Sequence, residues 1–283
     1  MINLFLKYKS KSFESKELSH QDIKNANKIL FCLFTRYGDT IISLCVINEF
    51  IRKHPKKDYL ILCPEQMGPF VEEILPRIRF IKVNKRNLFK MLVVNNLLKK
   101  WFPDIAFSPW SNGLDSCFFS SYAKKYFCYR DFSKPSEVNH YDVIRKYLLL
   151  EQKPFHLIKK KPEEMPNSFL ICPDSTDKKR SLDDSEVQKL VEKINLLNAN
   201  ALITCASMKE INFNGGANFI FKKNSFSSRG FISLVKSTDV IIAVDSAPLH
   251  IAIALKKDTV PIFKSTNPKN VINAHSEIVT GLI

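Results

Sequence analysis

The order of apolar runs constrains this chain most. From Lys28 onward, uninterrupted apolar runs of strand length alternate with stretches of helical spacing, and after a break the alternation starts again. In the first half KILFCLF, DYLILC, RFIKV, DIAFS and KYFCY read as strands. DTIISLCVINEFIRKH, GPFVEEILP, NLFKMLVVNNLLKKWF, a stretch around Leu114–Ala123 and His140–Leu150 read as helices. The second half has strands in SFLIC, ALITC, NFIF, DVIIAV and TVPIF, and helices in SLDDSEVQKLVEKINLLN, RGFISLVKST and SAPLHIAIALKK. Strands that are apolar throughout are buried on both faces, so the order predicts parallel sheets covered on both sides by helices. Two such α/β halves facing each other leave a cleft at the carboxyl ends of their strands, where open α/β sheets bind ligands.

The alternation breaks over EQKPFHLIKKKPEEMP (151–166), with three prolines and a lysine run, and the linker is read over 153–166. It separates a domain over 28–152 from one over 167–283. Residues 1–27 are Lys- and Ser-rich, weakly patterned, and read as an appended arm. The arm lacks a small-residue cleavage site, and the longest uncharged run, Ile194–Met208, is too short and too polar to span a bilayer. Membrane contact is therefore expected to be peripheral.

Charge narrows the partners. The 43 Lys and Arg outweigh the 28 Asp and Glu, a formal charge of +15, which favours nucleic acid, an acidic membrane face or a phosphorylated substrate. Only 7 residues are Gly, which argues against a Gly-rich dinucleotide fold or P-loop. The 7 cysteines are not paired as CxxC and several lie inside apolar runs, so buried reduced thiols are expected, not zinc ligands. No recognisable nucleic-acid module is present, so nucleic acid is not expected as a partner. Residues 77–103 carry eight cations and no acid, either a solvated face or a surface for an anionic leaflet.

Three strand-to-helix junctions carry the residues suited to chemistry. Thr35-Arg36-Tyr37-Gly38-Asp39-Thr40 places Asp39 at a helix start. It reads as a simple cap with Gly38 supplying a φ > 0 turn, or as a carboxylate that takes a proton from a hydroxyl. Pro173-Asp174-Ser175-Thr176-Asp177-Lys178-Lys179-Arg180-Ser181-Leu182 offers hydroxyls, amides and cations, suited to a phosphate or to water. Val244-Asp245-Ser246-Ala247-Pro248-Leu249-His250 opens a helix directly after a buried strand, with its amides toward an anion. Thr266-Asn267-Pro268 follows the next strand and should face the same cleft.

Together these stretches resemble glycosyltransferase family 9, the lipopolysaccharide heptosyltransferases. The family's (S/R)xLGD(V/T) turn is matched by TRYGDT, and its Ser/Thr loop followed by a cation by PDSTDKKRSL. Its strand–D(T/S)GxxHxAxAL–strand–(F/Y)GxT(D/N)P block is matched by VIIAVDSAPLHIAIALKKDTVPIFKSTNP. The departures are Tyr37 for Leu, Ala247 and Lys264 for glycines, and Leu182 for an aromatic.

The resemblance implies a GT-B architecture: two Rossmann-like domains with an interdomain cleft, the N-terminal one binding the acceptor and the C-terminal one the nucleotide-sugar. It implies an inverting, metal-independent transfer, with heptose from ADP-heptose as the first expectation. The acceptor would be a lipopolysaccharide or lipooligosaccharide core or a related lipid-linked surface glycan. The absence of any DxD pair agrees, since that metal–diphosphate clamp is missing. Asp39 matches the general base, and Arg36, Tyr37 and Gly38 fall on the acceptor side. Ser175, Thr176, Arg180, Asp245, Ser246, Ala247 and His250 fall on the donor side, and Glu210 matches an acidic nucleotide contact. No cofactor is implied beyond the ADP-linked donor, and the place implied is the cytoplasm, with peripheral contact at the inner face of the anionic membrane. A non-catalytic sugar-nucleotide or glycan-binding relative is the alternative that the substituted glycines allow.

Overall fold

The computed structural model describes residues 18–84, 87–109, 118–128, 139–161, 164–213, 215–223, 226–274 and 276–280. The chain divides into two compact units, Met1–Gln152 and Lys153–Ile283.

In the first unit, β1 (Lys28–Cys32), β2 (Asp58–Pro64), β3 (Arg79–Val83), β4 (Ile105–Ser108) and β5 (Lys125–Cys128) form one sheet in the order β3-β2-β1-β4-β5. Every neighbouring pair is parallel. Both faces of β1 are buried, which is why its sequence shows no polar alternation. Leu30 and Cys32 point to one layer, with Met91, Val94 and Leu98 of α4 (Leu88–Trp101). Phe31 points to the other, against Phe50 of α2 (Tyr37–Lys53) and stacked on Phe107. The helix expected around Leu114–Ala123 falls partly on residues 110–117, outside the described residues; 118–120 are helical.

The end of the expected arm belongs to this unit. Ser19 and Asp22 form a capping box for α1 (His20–Asn25), Ile23 and Ala26 are buried, and the Lys57 ammonium donates to the Ile23 and Ala26 carbonyls. Residues 1–17 of the arm lie outside the described residues. The remaining helices of the unit are α3 (Gly68–Ile74) and α5 (His140–Tyr147). α5 is fastened to α2 by Arg145, whose side chain is 0% exposed. Arg145 donates Nε and Nη2 to Glu49 at 3.0 and 2.8 Å and Nη1 to Asp142 at 2.7 Å. Burial works against the guanidinium charge, but the two carboxylates outweigh it and hold Arg145 above its ordinary value.

The second unit repeats the plan. β7 (Ser168–Cys172), β8 (Leu202–Ser207), β9 (Phe219–Lys223), β10 (Val240–Val244) and β11 (Asp258–Ile262) form a parallel sheet in the order β11-β10-β7-β8-β9. Its helices are α6 (Asp184–Leu197), α7 (Ser228–Ser237), α8 (Ala247–Ala254) and the short α9 (Pro268–Val271). α6 starts on a capping box of Asp183 and Glu186. Within the stretch read as linker, β6 (Ile158–Lys160) pairs in parallel with β12 (Glu277–Val279), and Lys160 bridges Asp258 and Glu277.

Each five-stranded sheet reverses its strand order once, between β1 and β4 and between β7 and β10. The loops leaving β1, β7 and β10 open at these switch points, where open α/β sheets bind ligands.

Of the cysteines, Cys32, Cys63, Cys172 and Cys205 are buried. Burial pushes the Cys45, Cys63 and Cys205 thiols up to about 12, far from the thiolate needed for chemistry. Among the described residues, no group of three or more His, Cys, Asp or Glu is arranged to hold a metal ion.

Candidate active site

In the first unit, Arg36 is the N-cap residue of α2 and makes no side-chain cap hydrogen bond. Gly38 and Asp39 are already helical, so Gly38 does not supply the φ > 0 turn considered for it; among described glycines only Gly216 has positive φ. Asp39, in the first helical turn, is not the cap either. Its carboxylate accepts one hydrogen bond, from the Thr35 hydroxyl at 3.3 Å. Burial pushes this carboxyl above the usual carboxylate range, while His140, the Thr35 hydroxyl and Arg36 pull it partly back. A half-buried carboxylate with a raised pKa, not consumed by capping, is suited to accept a proton. Arg36 and Tyr37 are exposed beside it, and the Tyr37 ring meets Phe70 of α3 edge-on at 6.1 Å. His140, at the start of α5, belongs to this neighbourhood although no sequence motif marks it.

In the second unit Asp245 gathers three loops. It follows β10, is 3% exposed, and accepts from Arg180 Nη1 at 2.7 Å and from Thr266 Oγ1 at 2.8 Å. Its backbone carbonyl accepts from Ser175 Oγ at 3.2 Å. His250, buried on α8, brings Nε2 to 3.9 Å from the other Asp245 oxygen. One buried carboxylate thus holds the loops after β7 and β11 against the start of α8. Ser246 is the N-cap of α8 without a side-chain cap bond, its hydroxyl donating to the Val244 carbonyl, and Ala247 is the first helical residue. Thr176 is exposed at the tip of the β7 loop.

Two residues outside the expected set complete the loop. Asp174 accepts from Ser207 Oγ at 2.8 Å and from the Met208 amide, tying the β7 loop to the end of β8. Ser181 accepts from the Ser175 amide at 2.9 Å and closes the loop on itself. Both lie in the stretch Pro173–Leu182 that the sequence marks as a polar loop, but no residue pattern there distinguishes them from its other polar side chains. Glu210 is exposed three residues past β8 and takes no part in the Asp245 network. Lys264 does not stand free where the family has glycine: its ammonium donates to Glu186 at 2.8 Å and to the Ser181 carbonyl at 3.2 Å. It pins the β7 loop to the residues after β11.

Two Rossmann-like units, each with its polar junctions at the carboxyl ends of a parallel sheet, are the domains of the GT-B fold. Residues 227–280 match the family model of glycosyltransferase family 9 (heptosyltransferase). Solved structures with the same fold include the family 9 glycosyl transferase from Veillonella parvula DSM 2008 (TM-score 0.64, 14% identity, 94% of this chain and 88% of that one). The E. coli ADP-heptose LPS heptosyltransferase II superposes with a TM-score of 0.67 at 14% identity, over 90% of this chain and 92% of that one. The E. coli heptosyltransferase WaaC with ADP gives 0.60 at 11%, over 89% and 92%. No curated protein sequence matches. The family resemblance read from the sequence is borne out: glycosyltransferase family 9 is the family whose signature residues 227–280 carry and whose fold the chain has.

Proposed function

We propose that the protein is an inverting, metal-independent glycosyltransferase that moves heptose from ADP-heptose to a lipid-linked bacterial surface glycan of the lipopolysaccharide-core type. The observation that carries this reading is the Asp245 junction inside the matched segment 227–280. It orients a guanidinium, two hydroxyl-bearing loops and a helix start at one switch point, a setting made for a diphosphate. The structurally similar E. coli heptosyltransferase WaaC is described with ADP and with ADP-2-deoxy-2-fluoro heptose, which supports an ADP-linked donor.

In this reading the first unit holds the acceptor, with Arg36, Tyr37 and Gly38 beside it, and Asp39 takes the proton from its attacking hydroxyl. The hydroxyl oxygen bonds to the anomeric carbon as the bond to the diphosphate breaks from the opposite face. ADP leaves with the electron pair. Ser175, Thr176, Arg180 and the α8 amides at Ser246 and Ala247 stabilise its charge without a metal. Asp245 and His250 set the orientation of these groups, and Glu210 faces the nucleotide. The product sits at a membrane, where the chain makes peripheral contact with an anionic leaflet from the cytoplasmic side; no described helix is long and apolar enough to cross it.

Two results test this. ADP-heptose should raise the melting temperature in proportion to the logarithm of its concentration, and oligonucleotides should not. Arg180→Ala should weaken ADP-sugar binding by about 10–100-fold, the worth of one charge-assisted hydrogen bond, and leave the acceptor KM unchanged. An unchanged donor affinity by calorimetry would assign Arg180 only to holding Asp245.

A further inference from the structure

α4 packs its inner side, Met91, Val94 and Leu98, into the core of the first unit. Its outer side is also apolar. Phe89 is 75% exposed, Leu92 52%, Val93 50% and Leu97 38%, at the i, i+3, i+4, i+8 spacing that puts them on one face. A solvated helix face carries charges of both signs. This one carries Lys90, Lys99 and Lys100 and no acid anywhere in LFKMLVVNNLLKKW. Lys90 is paired with Glu65 at the rim, whereas Lys99 and Lys100 close the helix at its carboxyl end. The 14 residues of α4 span about 21 Å at 1.5 Å per residue, short of the roughly 30 Å hydrocarbon core. Such a helix lies in the interface and does not cross it.

The geometry points to this face of α4 as the surface that seats the first unit on an anionic bilayer, Phe89, Leu92, Val93 and Leu97 among the acyl chains and Lys99 and Lys100 at the lipid phosphates. Charge complementarity selects the bilayer over a second copy of the chain: two copies meeting through this face would oppose lysine to lysine. The inference names the docking surface for the membrane contact proposed above and rests on that contact, but not on the donor or on Asp39.

Co-sedimentation of the full chain with phosphatidylcholine vesicles, with and without phosphatidylglycerol, tests it. Wild type should bind the anionic vesicles and bind the neutral ones weakly. Phe89→Ser/Leu92→Ser and Lys99→Gln/Lys100→Gln should each lose about tenfold or more in partitioning, since binding scales with inserted apolar area and with cations near the surface. Both pairs are exposed, so their melting curves should match wild type. Leu196→Ser, equally apolar and 87% exposed in the second unit, should bind as wild type does. If wild type binds and the α4 variants bind equally well, the bilayer contact lies on another face and the inference fails alone. If wild type binds no vesicle, the membrane contact itself fails. A dimer that the Phe89/Leu92 variant dissolves, without vesicle binding, would give the face to a second copy and overturn the proposal.

Discussion

Asp39→Asn should slow sugar transfer by about 10²–10⁴, the usual contribution of a general base. The amide keeps the shape and the hydrogen bond from Thr35 but accepts no proton. Because Asp39 is not the cap of α2, the substitution removes no capping interaction and the fold should be intact. pH supplies an independent readout. Burial raises the Asp39 pKa, so kcat/KM of the wild type should fall with decreasing pH along a limb above the usual carboxylate range. That limb should be absent from the Asn variant's residual activity. The stability sign is the reverse of the common carboxylate case. A folded-state pKa above the unfolded one makes ionised Asp39 a cost, present above the folded pKa and relieved as pH falls through it. At neutral pH the Asn variant should therefore be as stable as wild type or slightly more so. Near wild-type transfer by Asp39→Asn would remove Asp39 from the chemistry.

The largest loss of stability should come from Arg145→Ala. Arg145 bridges Glu49 of α2 and Asp142 of α5, and removing it takes the guanidinium away from two largely buried carboxylates. Breaking a buried ion pair from one side costs about 3–5 kcal/mol. Urea unfolding should show that loss in the first unit's transition, and Arg145→Lys should recover only part of it, since an ammonium cannot make the forked contact to Glu49. A loss under about 1 kcal/mol would mean that the triad is solvated enough to dispense with its cation. Because α5 brings His140 to Asp39 and Arg145 fastens α5 to α2, the same variant should also shift the acid limb of the rate profile.

The sequence made the sheets readable because buried parallel strands are near-continuous apolar runs of strand length: KILFC, SFLIC and VIIAV each hold four or five apolar residues in a row. β6 and β12 escaped because a three-residue pair with lysines in IKK carries no burial pattern. α1 escaped because its attachment rests on two apolar residues and a lysine that reaches back from residue 57, a contact with no local signature. At the candidate site, motif positions 39, 175, 180, 245 and 250 were legible as residue types at strand ends. What they do to one another was not. That Asp245 is the buried hub for Arg180 and Thr266, and that Lys264 is tied to Glu186, depends on side chains 21 to 78 residues apart in sequence meeting over one sheet. The outward apolar face of α4 was hidden for a related reason. A helix apolar on both sides has no periodic contrast, and only packing shows which side is left uncovered.

The central claim is catalysis of transfer from an ADP-linked heptose, and one assay bears on it directly. Purified full-length protein is incubated with ADP-heptose and a heptose-deficient lipopolysaccharide core in the presence of EDTA, and ADP release and acceptor mass are followed together. Stoichiometric ADP and a mass gain of one heptose are expected, unaffected by EDTA and slowed by about 10²–10⁴ with Asp39→Asn. Tight binding of ADP-heptose with neither ADP release nor acceptor modification would contradict it, and would make the protein a binding relative of the same fold.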